Sequence, residues 1–455
     1  MSGAYRKLLL PLCDRDQYRG LSARLAVLEQ FETLHPQEQA AILEQRTRSL
    51  LDHAYKTSPY YRLVFDEVRF RSVDWQYGQP IPLPELNREL LRANMESLCS
   101  RAFRPDELRR FSSGGSPPTA MWRDVEAQRE KAALEWHLNR LSGTAGARIL
   151  ELRPADRQQD GDMSSLRPTL QERIQGRFDA LIRNADDDTF WNLLRFMNRR
   201  KPEVLRGPAS LLAMFADWLR GCGMAWHRPR RVIATGETPS PESRQTVTET
   251  FGCMVTRQYV CPDIGILATE CEQGERLHFH PLSSYISLAP AGQSSEGSIY
   301  RLIITDLLNH GMPLIRYDSG DSVLFDESPC PCGSWYPSVS AVLGPTIENL
   351  ILPDGTVTAG VPIVTRASRS FRSVHGVQLI QRAPDTMHLR FSSDDNSGAA
   401  DRELGVFRKT IEDAFRIPLR WTLERVAAIR GETSGKVRAA VCEIPQDEHG
   451  RPLKH

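Results

Sequence analysis

Two neighbouring segments in the last third of the chain carry side chains that could do chemistry. RYDSGD, residues 316–321, ends in an acid and follows an apolar run that contains a proline. Its Asp, Ser and Gly residues are typical of turns, so the sequence predicts a polar turn at the end of a strand. PCPCG, residues 329–333, supplies two thiols. Because thiolates are preferred zinc ligands, these thiols could form half of a metal site.

Four other short segments have compositions that suit a ligand site: FSSGGSPPT (111–119), ATGE (234–237), YVCPD (259–263) and SGK (434–436). Taken singly, each has an ordinary structural explanation. The first is a loop rich in Ser, Gly and Pro. The second precedes a helix that Thr238 or Ser240 could cap. The third could be the end of a strand, and the lysine of the fourth could lie on the surface of a hairpin. Their order along the chain carries more information than any one of them.

The composition is typical of a globular protein, with 40% hydrophobic and 25% charged residues. The 58 basic and 57 acidic residues give a net charge of +1, which does not indicate a nucleic-acid or anionic-membrane partner. No stretch approaches the roughly 18 apolar residues of a membrane span, and the N-terminus lacks a signal-peptide cleavage site, so we expect a cytoplasmic protein. Nine cysteines in a long chain argue against a disulfide framework.

The length of 455 residues predicts two or three domains. Apolar spacing predicts two helices over residues 20–57, broken near Pro36, and a long helix after residue 123. Short β-branched runs from residue 231 predict strands, and the helical segment 240–252 lies between two of them as in a βαβ unit. The last hundred residues predict a hairpin, an amphipathic helix and two further strands. Residues 344–355 are the predicted hinge before this small unit.

Taken in this order, the segments resemble the motifs of the adenylate-forming ligases, which join a carboxylic acid to AMP. The resemblance is to the phenylacetate–CoA ligase-like branch, which includes capsule-biosynthesis adenylating proteins. It also rests on LLDHAYKTSPYYR (50–62), LPELNRELL (83–91), ITDLLNHGMPLIRYDSGD (304–321) and PCPCG, and it covers essentially the whole chain. It implies an α/β fold with a large N-terminal AMP-binding domain, residues 1–345. A small mobile α+β domain, residues 349–455, would follow and carry a catalytic-type lysine.

The resemblance also implies roles for individual residues. Asp321 would bind both ribose hydroxyls of ATP, and Tyr259 would stack on the adenine. Asp263 would hold Mg²⁺. Lys436 would be the catalytic residue, because its charge would reach the α-phosphate and carboxylate oxygens as the acyl-adenylate forms. The implied nucleotide-binding residues are Ser112, Ser113, Gly114, Gly115, Ser116, Gly236, Glu237, Tyr259 and Asp321.

The chain departs from the family pattern at several of these motifs. Asp263 stands where the family has Glu, and Cys261 and Pro262 precede it. The phosphate loop 111–119 contains no lysine. Pro345 replaces an arginine of the hinge motif, and Glu348 could serve as its acidic residue. Two hypotheses therefore stay open: an active ligase, and a relative that binds AMP or an acyl ligand without efficient turnover.

Some members of this branch have cysteines and a histidine consistent with structural zinc, at places where this chain has Cys271, Cys330, Cys332 and either His278 or His280. Three thiolates and one imidazole would form a closed tetrahedral Zn²⁺ site. His278 aligns better with the family than His280, so the predicted ligands are Cys271, His278, Cys330 and Cys332. The alternative is two buried thiols beside an ordinary turn.

The predicted function is ATP-dependent activation of a carboxylic acid, aryl or arylacetic, to an acyl-adenylate. The acyl group would then pass to coenzyme A, to another thiol or to an amine. The implied cofactors are ATP or AMP, Mg²⁺, structural Zn²⁺ and, as one acceptor, coenzyme A. The expected partners are the small acid and an acyl acceptor, which could be coenzyme A, a carrier protein or an amine. A homodimer is left open, and neither nucleic acid nor a membrane is expected.

Overall fold

The computed structural model describes residues 15–112, 119–141, 143–144, 146–154, 176–182, 185–236, 238–239, 241–271, 273–274, 276–294, 297–345, 349–368, 371, 373–427, 429 and 439–445. None of the helices in these ranges combines the length and the hydropathy that a bilayer crossing requires.

Helices and strands alternate through most of the described chain. The helices are α1 (Arg15–Tyr18), α2 (Leu21–Thr33), α3 (Pro36–Thr57), α4 (Pro59–Val68), α5 (Arg88–Ala93), α6 (Met95–Leu98), α7 (Val125–Leu141), α8 (Asp187–Arg200), α9 (Ala209–Gly221), α10 (Pro241–Phe251), α11 (Gly360–Ala367) and α12 (Ala399–Phe415). The strands are β1 (Leu108–Ser112), β2 (Ala120–Asp124), β3 (Ile149–Pro154), β4 (Arg177–Ile182), β5 (Val204–Pro208), β6 (Arg231–Thr235), β7 (Val255–Cys261), β8 (Gly265–Glu270), β9 (Leu277–Phe279), β10 (Ser284–Ser294), β11 (Gly297–Asp306), β12 (Tyr317–Phe325), β13 (Ser338–Val339), β14 (Ala341–Pro345), β15 (Asn349–Ile351), β16 (Val357–Ala359), β17 (Gly376–Ala383), β18 (Thr386–Ser392), β19 (Arg420–Arg425) and β20 (Ala440–Cys442).

The N-terminal helices form where the sequence predicts them. The predicted break near Pro36 is the start of helix α3. Pro36 is its first residue, where no backbone donor is needed. The Glu38 side chain accepts a 2.9 Å hydrogen bond from the backbone of His35, which closes the first turn. In α4, the buried Tyr61 hydroxyl donates to the carbonyl of Pro313 and accepts from the backbone of Ile315. Helix α4 therefore holds the segment that leads into β12.

The largest sheet has eight strands in the order β13-β9-β8-β7-β6-β5-β3-β4. Strands β4, β3, β5, β6 and β7 are parallel, and β8, β9 and β13 continue the sheet in antiparallel pairing. The predicted βαβ unit is β6-α10-β7. The parallel strands and helices α8, α9 and α10 contribute apolar side chains to one buried core. The ligand side of such a sheet is expected at the carboxyl ends of its strands.

A second sheet, in the order β10-β11-β12-β14, is antiparallel throughout and carries the RYDSGD segment. Its apolar face shares one core with β7, β8 and β9 and with helices α3 and α4. The hairpin of β1 and β2 is joined to this body at Gly311, where an added Cβ would stand 2.5 Å from Leu108 and 3.0 Å from the backbone of Asp124. No side chain fits in that space, so Gly311 sets how closely the hairpin approaches.

The C-terminal part is a small α+β unit with a core of its own. Its sheet has the order β19-β18-β17-β20, with an antiparallel β17-β18 hairpin and parallel outer strands. The core is drawn from residues 350 to 440, including Leu379, Leu389 and Phe407. The hairpin, the amphipathic helix and the two later strands predicted from the sequence are all present. The described part of the chain is thus a large α/β body followed by a smaller α+β unit.

Candidate functional site

Asp321 lies inside strand β12 and not in a turn at the end of a strand, so that part of the sequence interpretation is wrong. The register with β11 jumps from Ile303 opposite Asp318 to Arg301 opposite Ser322, which leaves three residues of β12 facing one of β11. Gly320 makes this bulge with a φ of 77°, a conformation that glycine adopts without strain. Bulges redirect side chains. The bulge therefore accounts for the local direction of Asp321.

Asp321 is held by the tyrosine of the other motif. The hydroxyl of Tyr259 in β7 donates a 2.7 Å hydrogen bond to Asp321 Oδ2. Burial, and then the neighbouring Asp321 carboxylate, raise the pKa of Tyr259 well above its usual value, so the hydroxyl remains a donor. The Tyr259 ring packs edge-on against Phe279. The two residues predicted to contact adenosine are thus brought together, with Asp321 partly exposed.

The reverse pairing joins Tyr317 to Asp263. Tyr317 Oη lies 2.6 Å from Asp263 Oδ2, and Arg88 Nη2 lies 2.9 Å from the same oxygen. Burial is the largest influence on the pKa of Arg88 and lowers it, but the charge of Asp263, the Tyr317 hydroxyl and the hydrogen bonds to both together raise the pKa, so the guanidinium stays charged. Arg88 begins α5, and Asn87 caps that helix by accepting from the backbone of Leu90. The Asn87 cap therefore also sets the position of Arg88.

The carboxylate of Asp263 is too buried for a Mg²⁺ ion to bind it directly. Its side chain is 1% exposed, and one oxygen is shared by Arg88 and Tyr317. Its Oδ1 atom is buried and has no hydrogen-bond partner among the described residues. Mg²⁺ dehydrates reluctantly and usually keeps several waters. This buried, charge-compensated carboxylate suits a contact with Mg²⁺ through water better than direct coordination, and the magnesium role of Asp263 stays a prediction.

The predicted phosphate loop falls between β1 and β2 in the sequence. Ser112, whose backbone ends β1, pairs with Ala120 at the start of β2. Residues Ser113, Gly114, Gly115 and Ser116 lie outside the described residues. At the base of the hairpin, Arg123 donates a 2.9 Å hydrogen bond to the carbonyl of Ile264, directly after Asp263. The hairpin is therefore attached to the YVCPD segment.

The ATGE segment leaves the parallel sheet at the end of β6. Gly236 follows Thr235 with a φ of 76°, and Glu237 lies outside the described residues. Thr238 donates a 2.6 Å hydrogen bond to the carbonyl of Val342 in β14. This bond joins the β6-α10 turn to the second sheet next to β12. The turn therefore lies where the two sheets meet.

The four predicted zinc ligands converge. Their candidate ligand atoms all lie within 4.8 Å of one another, in Cys271, His278, Cys330 and Cys332. The sulfurs of Cys271 and Cys330 are 3.7 Å apart, and Cys332 Sγ lies 3.4 Å from His278 Nε2. The structure decides between the two histidines, because His278 in β9 faces the thiols and His280, just after the strand, does not join them. The donor set fits a closed Zn²⁺ site.

The chain is similar in sequence and fold to several known proteins. No protein-family model matches the chain. It is 20% identical to Protein CapK of Staphylococcus aureus over 414 residues, which is 88% of each chain. It is 23% identical to the phenylacetate-coenzyme A ligase of Thermus thermophilus over 346 residues, covering 71% of this chain and 74% of that protein. The 2-hydroxyisobutyryl-CoA ligase in its postadenylation state superposes with a TM-score of 0.68 at 16% identity, covering 90% of this chain and 91% of that one.

The chain has the adenylate-forming ligase fold. The same ligase in its thioesterification state superposes with a TM-score of 0.57 at 15% identity, over 90% and 91% of the two chains. The resemblance and the α/β fold class predicted from the motifs are confirmed. Lys436 lies outside the described residues. The first described strand after it is β20.

Two residues at the centre of the site were not predicted. Arg88 and Tyr317 fall within two of the motifs that carry the resemblance, but the sequence did not predict a role for either residue. One signal was available, because Tyr259 to Asp263 and Tyr317 to Asp321 have the same Tyr-x₃-Asp spacing. Arg88 lies 175 residues from Asp263 in sequence, so nothing local could indicate that contact.

Proposed function

We propose that the chain is an AMP-forming acid–thiol ligase that acts on an aryl or arylacetic acid. The carboxylate attacks the α-phosphorus of ATP, forms the acyl-adenylate and releases pyrophosphate. The thiol of coenzyme A then attacks the acyl carbonyl and releases AMP. The relative from Thermus is a phenylacetate-coenzyme A ligase, and the ligase structures that superpose hold acyl-AMP conjugates and coenzyme A. Because ATP and coenzyme A are cytoplasmic substrates, we expect a cytoplasmic enzyme.

The observation that carries this proposal is the reciprocal Tyr–Asp pairing between the two motifs. Tyr259 holds Asp321, and Tyr317 holds Asp263, with the donors 2.7 Å and 2.6 Å from their acceptors. A carboxylate has two oxygens and about four acceptor positions, so Asp321 can accept from Tyr259 and from ribose hydroxyls together. A fixed carboxylate binds ribose without first losing rotational freedom.

The chemical step is assigned to Lys436. In the proposed domain division, residues 1–345 bind the nucleotide and residues 349–455 bring this lysine to the α-phosphate. A single flexible ammonium suits a group that must arrive for adenylation and leave before the acceptor enters. Its charge offsets the negative charge that develops on the phosphate oxygens in the transition state.

The second candidate function is nucleotide or acyl binding without efficient turnover. The observation that favours it is Asp263, which is buried against Arg88 where the family has a metal-binding acid. The absence of a lysine from residues 111–119 points the same way. The two functions differ in whether pyrophosphate is released.

We also propose that Cys271, His278, Cys330 and Cys332 hold one structural Zn²⁺. Four protein ligands leave no open position, so the ion would brace the fold and would not take part in the reaction. The segments that it would join are the end of β8, strand β9 and the loop after β12. That loop follows strand β12, which carries Asp321, so the ion would also help to stabilise the proposed nucleotide site.

The proposed function is tested by incubating the purified protein with ATP, Mg²⁺ and a panel of aryl and arylacetic acids. Pyrophosphate release reports adenylation, and thioester formation after addition of coenzyme A reports transfer. Aliphatic acids of similar length serve as the matched control for substrate class, and amines replace coenzyme A in a parallel series. ATP binding by calorimetry without pyrophosphate release from any acid would favour the second candidate.

A further inference from the structure

A second group of metal-ligating side chains lies away from the thiol cluster, where α2, α7 and the segment after β9 meet. It consists of Glu32, His137 and His280, whose candidate ligand atoms all lie within 4.8 Å of one another. His137 Nε2 lies 2.9 Å from Glu32 Oε1. The two imidazole rings stand nearly perpendicular, with centroids 5.5 Å apart. Three potential ligands therefore converge from three separate parts of the chain.

The histidines of this group are buried with unused ring nitrogens. His137 is 0% exposed and His280 is 2% exposed. Neither ring nitrogen of His280, nor Nδ1 of His137, has a hydrogen-bond partner among the described residues. A buried polar atom without a hydrogen-bond partner destabilises the fold. A ligand that engages these nitrogens would remove much of that destabilisation.

The positively charged side chains near the group are paired with acids, so they do not exclude a cation. Arg46 is paired with Glu130, and Arg140 lies 3.4 Å from Glu29, so each guanidinium has an acidic partner. Glu32 brings a negative charge to the two histidines, with Arg140 only at 3.9 Å. Two neutral imidazoles and one carboxylate are a donor set that Zn²⁺ accepts.

We propose that Glu32, His137 and His280 bind a divalent transition metal of the zinc class. Bonds of about 2.0–2.2 Å to one ion would replace the hydrogen bond between His137 and Glu32 and would engage a ring nitrogen of His280. The ion would thereby join α2 and α7 to the β9 segment. Three protein ligands leave a fourth position for water, and His280 lines an adjoining cavity of ≈ 90 Å³ that has room for one. This site is distinct from the thiol cluster and does not depend on the proposed ligase activity.

The test is zinc titration of the full-length protein after removal of metal by a chelator, with bound zinc measured by elemental analysis. We expect two zinc ions per chain in the parent. Cys330→Ser with Cys332→Ser should keep one, and His280→Leu should also keep one. Cobalt substitution identifies which of the two sites is still occupied in each variant, because only the thiol cluster gives sulfur-to-cobalt charge-transfer absorption. His280→Leu should therefore keep that band, and the double cysteine variant should lose it.

Glu32→Gln keeps the proposal testable if His280→Leu fails to fold, because Glu32 is partly exposed. It should weaken the second zinc about tenfold or more. The matched control is Glu29→Gln on the same helix, which also loses an Arg140 contact and should bind zinc as the parent does. If the double cysteine variant is folded but binds no zinc, or if Glu32→Gln binds zinc as tightly as Glu29→Gln, the pocket holds only water and the proposal is wrong.

Discussion

Tyr259 Oη lies 2.7 Å from Asp321 Oδ2, so a tyrosine of strand β7 holds the acid of strand β12 across the boundary between two sheets. The same relation runs the other way, from Tyr317 to Asp263 at 2.6 Å. The two motifs that resemble nucleotide-binding segments thus depend on each other for their geometry. A substitution in one motif should therefore alter the geometry of the other.

Tyr259→Phe tests that dependence. The variant keeps the ring against Phe279 but removes the hydrogen bond that orients Asp321. We expect KM for ATP to rise roughly five- to thirtyfold, equivalent to about 1–2 kcal/mol, with kcat little changed. Steady-state kinetics with a working acid measures this split. The control is Tyr300→Phe on neighbouring β11, and equal KM values in the two variants would contradict the proposed orientation.

Arg88→Met should destabilise the protein because it leaves Asp263 buried without its cation. Loss of one partner of a fully buried pair costs about 3–5 kcal/mol, and about 2 kcal/mol is expected here because water screens the exposed part of Arg88. Arg88→Met combined with Asp263→Asn should regain much of that stability. Urea unfolding measures the free energies, with Arg62→Met as an exposed control. No recovery in the double variant would show that the two residues do not act as a pair.

Cys330→Ser should remove the proposed structural zinc and lower the free energy of unfolding by roughly 3 kcal/mol or more, since metal binding of this kind is coupled to folding. Substrate preference among acids should not change. Thermal unfolding and elemental analysis provide the two measurements. Cys253→Ser, a half-buried cysteine outside the cluster, is the control. Full zinc content in Cys330→Ser, with unchanged stability, would rule out this ligand set.

The local patterns predicted the elements well and the contacts between them poorly. The apolar spacing in residues 20–57 and the start at Pro36 predicted α2 and α3, because helix period and proline chemistry act within a few residues. The RYDSGD segment was predicted as a turn, but Gly320 serves a bulge within a strand. A bulge depends on register with β11, which no local window contains.

The site shows the same division between local and long-range information. The sequence grouped Cys271, Cys330 and Cys332 through the resemblance and preferred His278 to His280 because it aligns better with the family. The fold supplies the physical reason, since His278 is in β9 beside the thiols and His280 lies where the strand has ended. The pairing of Arg88 with Asp263 and the cluster around His137 join residues distant in sequence, so single-sequence patterns could not reveal them.

The C-terminal unit should rotate as a body about the segment near residues 344–355. We predict two poses for residues from about 349 onward, one for adenylation and one for acyl transfer, with Pro345 favouring the resting pose. Small-angle scattering with and without a non-hydrolysable acyl-adenylate mimic measures the change. A single invariant scattering curve would remove support for the rotation.

The most direct measurement of the proposed chemistry is pyrophosphate release by the parent, Asp321→Ala and Lys436→Ala with ATP and an aryl acid, together with ATP binding by calorimetry. We expect the parent to release pyrophosphate only when both ATP and the acid are present. Asp321→Ala should weaken ATP binding, because it removes the ribose carboxylate. Lys436→Ala should keep near-normal ATP affinity and adenylate on the order of a hundredfold more slowly, because its charge acts in the transition state. Full adenylation activity in Lys436→Ala would contradict the assignment.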